Sequence, residues 1–151
     1  MRLQAQVIVR RAPDDVAAYL GDVRNIPSWD RGVGAVRMAA DAKPGLGFSF
    51  ETLGHDGRTA SAEDGRMAYE VSAVCPKGST VRLTSTTGNA RYFENAAWHV
   101  RLDPVPEGTR VTCAAEFTLR LRYLFLAPVL YLMHRAIRDD LERLRRALEA
   151  A

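Results

Sequence analysis

Leu130, His134, Ile137, Leu141, Leu144 and Leu148 follow one another at steps of four and three residues. That spacing puts them on one face of a helix. Arg135, Asp139, Glu142, Arg143 and Arg146 occupy the other face, and Asp139–Arg143 and Glu142–Arg146 stand four apart with the acid first, the better helical order. The pattern predicts an amphipathic helix over roughly 123–150 with one buried stripe. At the other end of the chain, Leu3, Ala5, Val7 and Val9 alternate with polar residues and only Ile8 breaks the rhythm, which predicts a half-buried first strand.

Ala12-Pro13-Asp14-Asp15 opens a short helix, with Pro13 suited to its first position and the aspartates to its dipole; Gly21 ends it. Asp22 reads as the N-cap of a second short helix to about Trp29, broken near Ile26 by Pro27. Strand patterns follow at 33–38, 48–52, 67–75 and 81–85, then in two long runs. In the first run Tyr92, Glu94, Ala96, Trp98, Val100 and Leu102 share a face; in the second Val111, Cys113, Ala115, Phe117, Leu119 and Leu121 do. The chain turns at 55–57, and polar residues 58–65 fit no better than a poor edge strand. Short turns between strands make an antiparallel meander.

At 151 residues the chain reads as one domain over 1–151, long enough to bury roughly 70% of its unfolded surface without metal or disulfide help. Cys75 and Cys113 read as small buried thiols. A net charge of +3, with bases interspersed among acids, argues against a nucleic-acid partner, which selects a concentrated basic face. No signal peptide is apparent, and the apolar stretch 121–133 is interrupted by Arg122 and Pro128 and too short to span a bilayer. The expectation is a soluble, cytoplasmic protein of undefined oligomeric state. His55, His99 and His134 form no metal-binding spacing, and no nucleophile elbow or phosphate loop occurs, so no catalytic residue, metal or cofactor is assigned.

Three stretches carry a family resemblance. They are the opening strand running into Ala12–Val16, Tyr19–Asp22 and Pro27–Asp30; the strand pair around Trp98 with Gly108–Thr112; and the terminal helix around Asp140–Leu144. The chain resembles the START-like, helix-grip superfamily (SRPBCC), in particular its polyketide cyclase/dehydrase and lipid-transport proteins. The resemblance implies an α+β helix-grip fold: a curved antiparallel sheet of six to seven strands around the C-terminal helix, two short helices after the first strand, and a cavity for a hydrophobic ligand.

Polar residues on apolar faces are the candidates for such a cavity, because a buried polar group needs a partner. His134 stands on the helix stripe, Glu94 on the face of Trp98, and Tyr69 on that of Met67 and Val71. With Trp29, Phe48, Phe50, Leu83, Trp98, Phe117, Tyr123, Leu130 and Ile137 they form the candidate ligand-binding set. Each also has a plain reading. His134 is a satisfied rim histidine, Glu94 a salt-bridged strand end, Trp29 a packing anchor, and the aromatics are core. Segment 123–126 is either a connection tucked over the core or an exposed lip making transient membrane or protein contact.

Three functions stay open. The first is binding, and with it transport, of a lipid or polyketide-like molecule. The second is a polyketide cyclase, aromatase or dehydratase, which expects His134 or Glu94 to face the cavity beside a tyrosine or second acid. The third is a non-catalytic interaction module, which expects 123–126 to be solvent-exposed.

Overall fold

The computed structural model describes residues 1–54, 65–85 and 88–150. The turn at 55–57 and nearly all of the weak strand at 58–65 lie outside the described residues. Seven strands, β1 (Arg2–Val9), β2 (Val33–Arg37), β3 (Ser49–Gly54), β4 (Met67–Cys75), β5 (Gly78–Leu83), β6 (Phe93–Val105) and β7 (Gly108–Leu119), form one antiparallel sheet. Their order is β1-β7-β6-β5-β4-β3-β2. The meander runs from β2 to β7, and β1 joins last in space by pairing with β7 in the register Leu3↔Ala115, Ala5↔Cys113, Val7↔Val111.

Between β1 and β2 lie α1 (Pro13–Gly21), a 3-10 turn (Val23–Asn25) and α2 (Ile26–Trp29). Pro13 opens α1, whose N-cap Ala12 offers no side-chain bond. The Asp22 carboxylate accepts from the Arg24 N–H at 3.1 Å, the cap its sequence position predicts. Pro27 coincides with the break between the 3-10 turn and α2. The sheet curls around the terminal helix α4 (Met133–Ala150), which lies chiefly over β1 and sends Ile137, Leu141, Leu144 and Leu148 into the core. One close approach fixes this end of the grip. Gly108, at φ +147°, sits where a Cβ would stand 2.2 Å from the Val9 carbonyl oxygen. Its neighbour Thr109 is fully buried and donates to the Arg11 carbonyl at 2.8 Å. The β6–β7 turn thereby holds the entrance to α1.

Three sequence expectations are corrected by local backbone features. The terminal helix is not continuous from 123. A 3-10 helix (Leu121–Leu126), then α3 (Ala127–Tyr131), then a turn at Leu132 precede α4. Pro128 supplies no N–H to the preceding turn and sits in the first turn of α3, where a proline is tolerated. In β6 the register shifts between Phe93 and Asn95. An extra residue reverses the inside–outside alternation. Phe93 therefore turns inward against Phe117, ring centroids 5.7 Å apart, and Glu94 is exposed. A second shift, between Val71 and Ala73, precedes an exposed β4 end, so Cys75 is at the surface rather than in the core.

Among the described residues no helix is long and apolar enough to cross a membrane.

Candidate functional site

The inward side chains gather into three clusters rather than one. The first is Val9, Val16, Leu102 and Val111 beneath Leu141, Leu144 and Leu148, and the second is Leu3, Ala96, Ala115 and Phe117 beneath Ile137. The third, Val23, Phe48, Phe50 and Tyr69, contains no residue of α4. Trp98 packs against both the second and third clusters. Around this junction the middle of the sheet is incompletely sealed. Val71, Val81, Leu83, Trp98, Val100 and Cys113 belong to these inward-facing clusters yet stay partly accessible. A flat helix-on-sheet contact at interior density would have covered them.

Cys113 shows what this means physically. Burial above all, and then the charges of Asp30 and Asp140, push its thiol up to about 12. The thiol therefore stands in a low-dielectric interior, although the residue as a whole is only partly covered.

One wall of this region is aromatic. Phe48, Phe50 and Tyr69 stack in series, with centroids 6.0 and 5.5 Å apart and planes within about 30°. Tyr69 is buried, and its phenol contacts the Met67 sulfur at 3.4 Å. Desolvation raises it to about 12; hydrogen bonding with Trp98 and Thr52 opposes that rise, and the charge of Asp30 adds to it. At the seam between α2 and α4, Asp140 is pushed up to about 6. Burial is the main cause and Asp30 adds to it, against the Arg31 backbone N–H, Arg143 and the Arg31 charge. The indole Nε1 of Trp29, immediately before Asp30, is buried and has no hydrogen-bond partner among the described residues. The polar groups gathered around this region are thus a phenol, two indoles, the Thr52 hydroxyl, a thiol and a pair of acids.

Of the candidates from sequence, Phe48, Phe50, Tyr69, Phe117 and Ile137 are buried, while Leu83, Trp98 and Leu130 are half-buried on the inner side. Trp29 is half-buried against the first cluster. Three others lie elsewhere. Glu94 is on the surface beside Arg120, Leu121 and Arg122, around a concavity of about 480 Å³. Tyr123 packs edge-on against Tyr92, centroids 5.0 Å apart, at the same outer end. His134 is exposed, and its Nε2 meets the Gln4 carbonyl oxygen of edge strand β1 at 2.9 Å. His134 stands in the first turn of α4 on the flank of its stripe: Met133, four residues before Ile137, takes the inward place, and the imidazole reaches the edge strand instead.

Sequence reasoning missed Asp30, Thr52, Cys113 and Asp140 among the polar groups of this region. A signal existed for Asp140, which stands three residues after Ile137 and four before Leu144, on the flank of the stripe.

On the outer face of the sheet a separate polar row ties three strands. Thr80 Oγ1 meets His99 Nδ1 at 2.9 Å, and His99 Nε2 meets Glu116 Oε2 at 3.1 Å. Arg2 pairs with the same carboxylate, whose pKa it lowers together with His99. A concavity of about 330 Å³ lies along this face, outside the grip.

A seven-stranded sheet curled around a C-terminal helix, with short helices after the first strand, is the helix-grip architecture of START-like and Bet v 1-like proteins. The chain belongs to the family described as polyketide cyclase / dehydrase and lipid transport, which matches residues 1–149. Protein MLL2253 from Mesorhizobium loti superposes over 100% of this chain and 98% of its own, with a TM-score of 0.74 and 16% identity. Ara h 8.0201 superposes over 100% and 99%, with a TM-score of 0.74 and 10% identity. TTHA0849 from Thermus thermophilus covers 99% and 95%, with a TM-score of 0.64 and 16% identity. At these identities the likeness is one of fold. No curated protein matches the sequence.

Proposed function

We propose that the protein binds a small hydrophobic molecule, lipid or polyketide-like, in the space between α4 and the inner faces of β4–β7. The observation that carries this reading is the partial exposure of inward residues at the sheet centre, above all Cys113, in surroundings dry enough to hold its thiol near 12. The chemistry suits such a cargo: an apolar shell and an aromatic wall, with few polar groups to orient one end. Family membership supports the same class of ligand.

The cyclase or dehydratase reading that relied on His134 or Glu94 gains no support from the geometry, since both side chains are exposed. A second contact, through 123–126 to a membrane or protein, is supported by the exposure of Leu124 and Phe125.

The test is mass spectrometry of molecules released from the purified protein, with a thermal shift on adding them back. A ligand selective for the folded state stabilises it by about 2.7 kcal/mol at one hundred times its dissociation constant. For this chain length that is a rise of roughly 5–10 °C in the midpoint. A clean protein that ignores fatty acids, fatty alcohols and polyketide mimics overturns the reading.

A further inference from the structure

The segment that joins β7 to α4 is apolar on two sides. Leu130 and Met133 turn inward onto the second core cluster. Leu121, Leu124, Phe125, Val129, Tyr131 and Leu132 turn outward and are between 52% and 83% exposed. A helical segment apolar all round is ordinarily buried in protein or lipid. An exposed patch of this extent marks a contact surface.

The charge around the patch says what covers it. From Phe117 to Arg138 the chain contains no acidic residue, while Arg120, Arg122, Arg135 and Arg138 stand within it, and Glu94 of β6 lies at its edge beside Arg120 and Arg122. Arg122 lies over the Tyr123 ring at 5.1 Å, and Tyr123 packs on Tyr92, itself under Arg91 at 4.6 Å. Exposed aliphatic and aromatic side chains edged by arginines are what the boundary of an anionic bilayer selects: apolar groups enter the acyl layer and cations meet phosphates. A second copy of the chain fits less well, because a two-fold contact is self-complementary and brings like arginines together.

We propose that residues 121–138 dock on an anionic phospholipid bilayer, with 121–132 entering the headgroup boundary and the arginines meeting lipid phosphates. This deepens the contact reading at 123–126. It also puts the inner wall of the grip, at Leu130 and Met133, directly behind the docked surface, a passage for an apolar cargo between membrane and interior.

The experiment is vesicle flotation of the full chain with phosphatidylcholine alone and with added phosphatidylglycerol, at low and high salt. Binding is expected only with the anionic lipid and is expected to fall with salt. Phe125→Ser combined with Leu132→Ser lowers partitioning at least tenfold. Arg122→Gln combined with Arg135→Gln lowers it about fivefold per arginine, the equivalent of roughly 1 kcal/mol each. All four residues are exposed, so the variants keep the wild-type circular dichroism and midpoint. Equal binding to neutral vesicles, no binding at low salt, or indifference to both variants overturns the proposal. So does a concentration-dependent dimer or an acidic protein partner that depends on the same residues in the absence of vesicle binding. Molecules released from the unmutated protein are measured in parallel. An empty interior with intact vesicle binding refutes the ligand reading alone, and a loaded interior without vesicle binding refutes docking alone.

Discussion

The backbone N–H of Arg31 donates to the Asp140 carboxylate at 3.2 Å, tying the end of α2 to the middle of α4 across a gap of 109 residues. This carboxylate is held in a partly desolvated seam beside Asp30, and its pKa rises from 3.8 to about 6. For an acid with a raised pKa the folded state holds the proton more tightly than the unfolded one. The contribution to stability is therefore fullest below about pH 3.8, declines as pH rises, and levels off above about 6. Asp140→Asn keeps an oxygen for the Arg31 N–H and removes the charge. Allowing for solvent screening, it should raise stability at pH 7.5 by about 1–2 kcal/mol, with little effect at pH 4. Urea unfolding at the two pH values checks this, and equal midpoint changes at both would contradict the assignment.

The ligand space proposed beside Val100 predicts an unusual tolerance. Val100 pairs with Cys113 across β6 and β7, and both keep accessible surface. In a filled core Val100→Phe would cost about 1–3 kcal/mol. Here it should cost less than about 1 kcal/mol and suppress the ligand-induced thermal shift. A large loss of stability together with an unchanged shift would mean that the grip is closed at this point.

The two thiols should behave differently. Cys75 is exposed at the end of β4, while Cys113 sits in an interior that raises its pKa to about 12. The thiolate is the reactive form, so a chromogenic disulfide at pH 8 should titrate one thiol fast and one slowly. Cys75→Ser should remove the fast phase. A bound apolar molecule should slow the remaining phase further, and a ligand that left it unchanged would bind elsewhere.

Gly108→Ala meets the Val9 carbonyl and a backbone angle that alanine rarely adopts. It should lower stability by about 2 kcal/mol or more, and the loss appears as a fall in the thermal midpoint. Gly21→Ala, where a Cβ meets nothing within 4 Å, is the control and should leave the midpoint nearly unchanged.

The architecture was readable because each element carries its own period. Leu3, Ala5, Val7 and Val9 mark the two-residue repeat of a half-covered strand, and Ile137, Leu141, Leu144 and Leu148 mark the helical one. The aromatic wall of Phe48, Phe50 and Tyr69 was legible for the same reason. What the sequence concealed are departures from period. One inserted residue near Asn95 turns Glu94 outward, and the turn at Leu132 starts α4 afresh with Met133 facing inward and His134 on the flank. Bulges and helix breaks arise from how neighbouring strands and helices meet, and a single chain's alternation does not record them. The acids were hidden differently. Asp30 and Asp140 come together from α2's end and from α4, so their proximity is a property of the closed fold.

The first strand finds its sheet partner at the other end of the meander. The Met1 amino group donates to the Phe117 carbonyl, 116 residues away, and α4, which covers β1, comes later still. On a ribosome adding about 5–20 residues per second, β1 is therefore made several seconds before its partner and waits as an unsatisfied apolar edge. The domain closes only once α4 has emerged. Its folding rate is governed by closing the long loop between β1 and β7, and β1 is the strand a chaperone meets longest.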